Sequence, residues 1–145
     1  MTLPSYAEYG VTKNEIVIGM TNALSGPASG LGTGLKAGAT AYIDKVNAAG
    51  GVHGRKIRLI SYDDGYEPEQ TSKMTLKLIE QDKVFALFGY VGTPSIHASL
   101  PIFTEARVPF VGAFTGAELL RTPFNRYIFN VRASYFDETE AIVQH

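Results

Sequence analysis

The residues of this chain best placed to do chemistry are hydroxyls and amides gathered in three loops. IVIGM opens into TNALSGPASG, VFALFG into YVGTPS, and PFV into GAFTGAE, each just before a helix-like segment. In an open parallel α/β sheet such loops collect at the carboxyl edge of the strands, where small polar ligands bind. Ser25, Thr93, Ser95 and Thr115 supply the hydroxyls, and Phe114 puts an aromatic wall beside the last of them. The simplest duty for Thr93 and Ser95, which precede a helix, is N-capping. The same geometry, free amides with a hydroxyl, is also a seat for a carboxylate. Ser25 divides in the same way between a turn and a ligand hydrogen bond. Three such loops on successive βα units favour binding.

Other groups carry less. Asp63-Asp64 at a strand end could hold a divalent cation or accept a phosphoryl group, but neither Val84 to Tyr90 nor Pro109 to Thr115 adds the acidic residue and lysine such a site needs. Turn and helix-capping duty is the expectation for the pair. GTGLKAG lacks the Gly-Lys-Ser/Thr ending of a phosphate loop, and Gly30, Gly32 and Gly34 do not form a dinucleotide fingerprint. His53 and His97 have no second ligand at metal-binding spacing, so no metal is expected. Ser25 lacks the strained nucleophile elbow and a His-acid pair to activate it. A cofactor is not implied by any motif.

Composition narrows the classes further. The 145 residues hold 13 basic and 14 acidic side chains and no cysteine. Disulfides and thiolate chemistry are excluded, and with no basic stripe nucleic acid is not an expected partner. The apolar runs are strand-sized, well short of a membrane span. MTLPSYAEYGVTKNE lacks a basic start and an apolar core, so no signal peptide is expected in this chain, and residues 1–14 read as a polar leader.

The positioning elements follow from periodicity. Strands are predicted at Glu15–Met20, Ile57–Tyr62, Val84–Phe88, Pro109–Val111 and Tyr127–Val131. Helices are predicted at about 34–49, with Leu35, Ala39, Tyr42, Ile43 and Val46 on one apolar face, at about 68–81, and at about 95–106, where Pro101 kinks or delays the start. Glu118 to Leu120 makes a single turn. A last helix is expected with Asp137 as its N-cap. This alternation predicts an α/β fold, a doubly wound parallel sheet of Rossmann-like type.

The runs LSGPASGLGTGLKAGATAYIDKVNAAGGVHGRKIRLISYDDGYEPEQ, FGYVGTPS and VPFVGAFTGAELLR make the chain resemble the leucine/isoleucine/valine-binding family of type I periplasmic binding proteins, the solute receptors of ABC importers. The resemblance implies two lobes joined by crossovers, with residues 15–132 as the N-terminal ligand-binding lobe and 133–145 as the truncated start of the second. It implies that Thr93, with Ser95 beside it, grips a ligand carboxylate, and that Thr115 takes both carboxylate and ammonium. The backbone near Phe114 receives the ammonium, and Leu31 falls where some members place an aromatic residue over the ligand side chain. Ser25 and Tyr90 complete the expected ligand-binding set. The function implied is capture of an amino acid, of branched-chain type, or a related small carboxylate, with no enzymatic step. Permease subunits are the expected partners of the full-length protein, the location is periplasmic, and a homodimer is expected for the fragment. The alternatives are a ligand-sensing domain of a receptor or amide-sensing regulator of the same fold and, third, a receiver-like phosphoacceptor centred on Asp63 and Asp64.

Overall fold

The apolar run beginning at Glu15 forms β1 (Glu15–Asn22), which pairs in parallel along its whole length with β2 (Lys56–Asp63), Glu15 opposite Lys56 and Asn22 opposite Asp63. On its other side β1 meets β3 (Ala86–Phe88), followed by β4 (Phe110–Val111) and β5 (Ile128–Phe129), all parallel. The sheet order is therefore β2-β1-β3-β4-β5. The computed structural model describes residues 8–145, so residues 1–7 of the expected leader lie outside the described residues.

Helices cover both faces. A Cβ added at Gly19 would lie 2.8 Å from Leu78 of α2 (Pro68–Glu80), whereas the next residue, Met20, points with Leu35 of α1 (Ser29–Ala48) towards Gly89. Successive residues of a strand face opposite sides, so α1 and α2 lie on opposite faces and the sheet is doubly wound. α3 (Thr93–Glu105) packs beside α2. The densest core lies under this pair, where Leu78, Leu87, Ile96, Phe103 and Phe110 are buried. Phe110 meets the Tyr90 ring edge-on at 5.2 Å and the Phe103 ring at 5.0 Å, geometries that add to plain burial.

Four local expectations change. α1 starts at Ser29, inside the glycine-rich loop, because Gly32 lies against the Ala23 carbonyl, where any Cβ would collide. Tyr42 is 67% exposed and off the buried stripe of that helix. α3 begins at Thr93 and runs through Pro101 without a break. The last helix, α4 (Tyr135–Gln144), is capped by Ser134, not Asp137. Asp137 sits three residues on, where its backbone N–H donates to Ser134 Oγ at 3.0 Å while its carboxylate accepts from the Ser134 N–H at 3.0 Å, a reciprocal capping box. Residues 8–14 are more than a leader: Val17 donates its amide to the Gly10 carbonyl at 2.7 Å, and Val11 bridges Ile16.

Candidate functional site

The order β2-β1-β3 means that the chain leaves β1 in one direction and returns past it in the other, which opens a crevice at the carboxyl ends of β1 and β3. The last residue of β1, Asn22, closes the floor of that crevice. Its buried amide donates to the Gly89 carbonyl at 3.1 Å and accepts from the Val91 N–H at 2.7 Å, stapling β1 to the loop after β3. At the neighbouring strand end, one carboxylate oxygen of Asp64 accepts from the hydroxyls of Thr21 (3.0 Å) and Thr71 (3.1 Å), and the other from the Tyr66 amide at 2.9 Å. Asp63 Oδ1 accepts the amides of Leu24 (2.8 Å), Ser25 (3.2 Å) and Gly65 (2.9 Å). The Ser25 hydroxyl and then these amides hold the Asp63 carboxyl below its ordinary range. Both acids thus brace loops, and the described residues hold no cluster of acidic or histidine side chains suited to a metal.

Two loops further along the same edge the pattern differs. The hydroxyls of Thr93 and Thr115 meet at 2.6 Å, although 22 residues separate them in sequence. The N-cap of α3 is Gly92, in the left-handed region at φ 92°, and no side chain caps the helix. A Cβ at Gly92 would run into the Tyr66 ring, so glycine is required twice there, for φ and for space. Thr93 occupies the first helical position, and Pro94 has no N–H to offer. The Thr93 hydroxyl is free of capping duty, and the first-turn amides of α3 have no intrahelical partner.

Thr115 is buried, accepts from the Ala117 amide at 3.2 Å, and donates to the phenol of Tyr135, the first residue of α4, at 3.0 Å. The loop carrying Thr115 is held by the Phe114 amide, which donates to the Tyr90 carbonyl at 2.9 Å, and by the Phe114 carbonyl, which accepts from Gly92 at 3.4 Å. Arg132 lies 5.7 Å from the centroid of the Phe114 ring and is paired twice with Glu138, at 2.5 and 2.7 Å. That pairing raises the Arg132 pKa and lowers that of Glu138. The cluster is a run of hydroxyl donors beside open helix amides, without a nucleophile and base in contact. It can hold an acceptor-rich group such as a carboxylate.

A family described as periplasmic binding protein matches residues 15–145. The chain belongs to the periplasmic binding protein family. Among its relatives, an amino acid binding protein of Pseudomonas aeruginosa is 32% identical over 94 residues, covering 65% of this chain and 25% of the relative. The structure of a possible leucine/isoleucine/valine-binding protein from Rhodopirellula baltica superposes with a TM-score of 0.85 at 40% identity, covering 90% of this chain and 35% of the other. LivJ of Streptococcus pneumoniae, a branched-chain amino acid transporter substrate binding protein solved in complex with isoleucine, gives a TM-score of 0.71 at 28% identity, over 83% of this chain and 34% of its own. The chain thus spans roughly a quarter to a third of the length of these relatives.

On this lobe of a periplasmic binding protein, the residues expected to bind ligand divide. Thr93 and Thr115 come together, and Phe114, 39% exposed, lies beside them. Ser25 is exposed on the neighbouring loop, tied to Asp63. Leu31 is 51% exposed on the first turn of α1. Two expected side chains point elsewhere. Tyr90 is wholly buried, its hydroxyl 3.2 Å from Thr75 and its pKa raised by burial, so only its backbone reaches the edge. Ser95 is also wholly buried, and its hydroxyl has no hydrogen-bond partner among the described residues. Helical geometry explains it: two positions along a helix turn a side chain by about 200°, so Ser95 faces inward where Thr93 faces the edge. Tyr135, Asn22 and the Arg132–Glu138 pair were absent from the expected set. Asn22 carried one legible signal, a polar residue closing an apolar strand. Tyr135 carried none.

Proposed function

We propose that this chain supplies the first lobe of a solute-binding receptor of an ABC importer, and that the receptor takes an amino acid of branched-chain type or a related small carboxylate. The observation that carries the reading is the 2.6 Å contact between Thr93 and Thr115 beside the uncapped start of α3, at the switch-point edge of the sheet. The ligand carboxylate sits on these hydroxyls and the first amides of α3, and a carbonyl of the 112–115 loop receives the ammonium. Binding energy then drives closure of a second lobe, and no covalent bond is made or broken. Export to the periplasm and docking on permease subunits belong to the same proposal, supported by the family and by the relatives' names.

The test is calorimetry on the full-length protein. Thr93→Ala is expected to weaken amino-acid binding by roughly 1.5 to 3 kcal/mol, the range for a hydrogen bond to a charged group, and to leave thermal stability nearly unchanged. An unaltered affinity removes Thr93 from the site.

A further inference from the structure

The cluster joins three O–H groups, those of Thr93, Thr115 and Tyr135, in one run of hydrogen bonds. Thr115 has one proton and gives it to the Tyr135 oxygen at 3.0 Å, so its 2.6 Å contact with Thr93 is made by the Thr93 proton. The Ala117 amide adds a further donor to Thr115. The protons therefore run one way, from Thr93 to Thr115 to Tyr135, and the Tyr135 proton ends the run, engaged by no carboxylate or backbone carbonyl among the described residues. Chains of hydrogen bonds polarise one another, which makes the terminal O–H a stronger donor. Hydrogen bonding from Thr115 holds the Tyr135 phenol below its ordinary range, and the charge of Arg132, 5.2 Å from the ring centroid, acts in the same direction.

The phenol is also held in place. The Tyr135 amide donates to the Gly116 carbonyl at 2.8 Å, and a Cβ on Gly116 would lie 2.7 Å from both the Tyr135 nitrogen and its ring. Only glycine lets the ring come this close. Tyr135 is 44% exposed, so the end of the chain is open to a solute. The nearby cation does not compete for an anion, because Arg132 is paired at two nitrogens with Glu138.

We infer that Tyr135 is a ligand-contacting residue whose phenolic O–H donates to the carboxylate seated on Thr93 and Thr115, and that it makes the site choose a carboxylate over the corresponding carboxamide. The inference rests on the carboxylate reading of that threonine pair. An ionised carboxylate offers only acceptors to this run of donors, whereas a carboxamide must turn an NH₂ group towards one of them.

The experiment uses the full-length protein and four acids, L-leucine, L-isoleucine, L-valine and benzoate, each beside its carboxamide, titrated by calorimetry. Tyr135→Phe keeps the ring and removes the hydroxyl, and is expected to weaken the bound acid about tenfold or more while leaving its amide unchanged, so that the acid-to-amide ratio falls by the same factor. Equal losses for acid and amide would make Tyr135 a packing residue and overturn the inference. If Thr93→Ala weakens the acid but Tyr135→Phe preserves the ratio, the inference falls and the threonine reading stands. If none of the four acids binds the unaltered protein, the carboxylate reading falls and takes the inference with it.

Discussion

Two polar clusters share the carboxyl edge of one sheet, and they are wired differently. At the ends of β1 and β2, the side chains of Asn22, Asp63 and Asp64 bond to five backbone amides, one backbone carbonyl and the hydroxyls of Thr21 and Thr71. Beyond β3 and β4, the hydroxyls of Thr93, Thr115 and Tyr135 bond chiefly to one another, with the Ala117 amide donating to Thr115. A side chain that satisfies buried backbone holds the fold. Hydroxyls that satisfy only each other can exchange partners with a solute at small cost, because one set of hydrogen bonds replaces another. The first cluster is scaffold and the second is where binding is expected.

Substitutions should separate the two most sharply in stability. Asn22→Ala leaves the buried Gly89 carbonyl and Val91 amide without partners and is expected to cost on the order of 3 kcal/mol, since each orphaned group costs about 1 to 3 kcal/mol. Denaturant unfolding reads this directly. A loss below about 1 kcal/mol would mean that water replaces the staple and that the contrast between the clusters is false. Thr115→Val should behave in the opposite way, losing about 1 kcal/mol of stability through the Ala117 amide while weakening ligand binding by the larger margin expected for Thr93→Ala.

The contrast extends to pH. The Asp63 carboxyl is held below its ordinary value by the Ser25 hydroxyl and three loop amides. A group depressed in the folded state contributes stability that is present above its unfolded pKa and is lost as pH falls through its folded pKa. Unfolding measured from about pH 5 down to about pH 3 should therefore show a steeper loss for the unaltered chain than for Asp63→Asn, which has no proton to take up. Parallel curves would show that the loop is held without the charge.

Why the sequence disclosed one cluster better than the other is a matter of range. The strand runs and the turn signals at Asp63-Asp64-Gly65 are local, and the parallel sheet follows from their alternation with helices. The pairing of Thr93 with Thr115 was accessible because both lie after parallel strands, and parallel strands carry their following loops to one edge. Tyr135 was not accessible, because its place depends on Gly116 admitting an aromatic ring 19 residues away in sequence. Tyr90 and Ser95 were misplaced because a loop motif does not say which side of the backbone a residue faces. Asp137 was misread as the cap because acidic residues serve both as caps and as the third residue of a capping box, and only the backbone of Ser134 decides.

The smallest expected effect concerns α4, which meets the rest of the molecule mainly at its first turn. Tyr135 is anchored on Gly116, and Arg121 donates to the carbonyls of Ala117 and Arg132, but Phe136, Ile142 and Val143 are exposed. These side chains give the 145-residue chain, studied by itself, a reason to self-associate through residues 127–145, as a helix on a short tether does when it docks on a second copy. The drive is weak: a specific dimer buries about 1,000 Å² or more, and a few side chains of one helix fall short of that unless the sheet face at Phe129 joins in. Sedimentation of the isolated chain should then show a concentration-dependent equilibrium in place of a fixed dimer. Replacing Ile142 and Val143 together with serine should shift it to monomer and leave the unfolding midpoint unchanged. A monomer at every concentration before the substitutions would show that the first turn of α4 is anchored well enough to keep its apolar side chains from pairing.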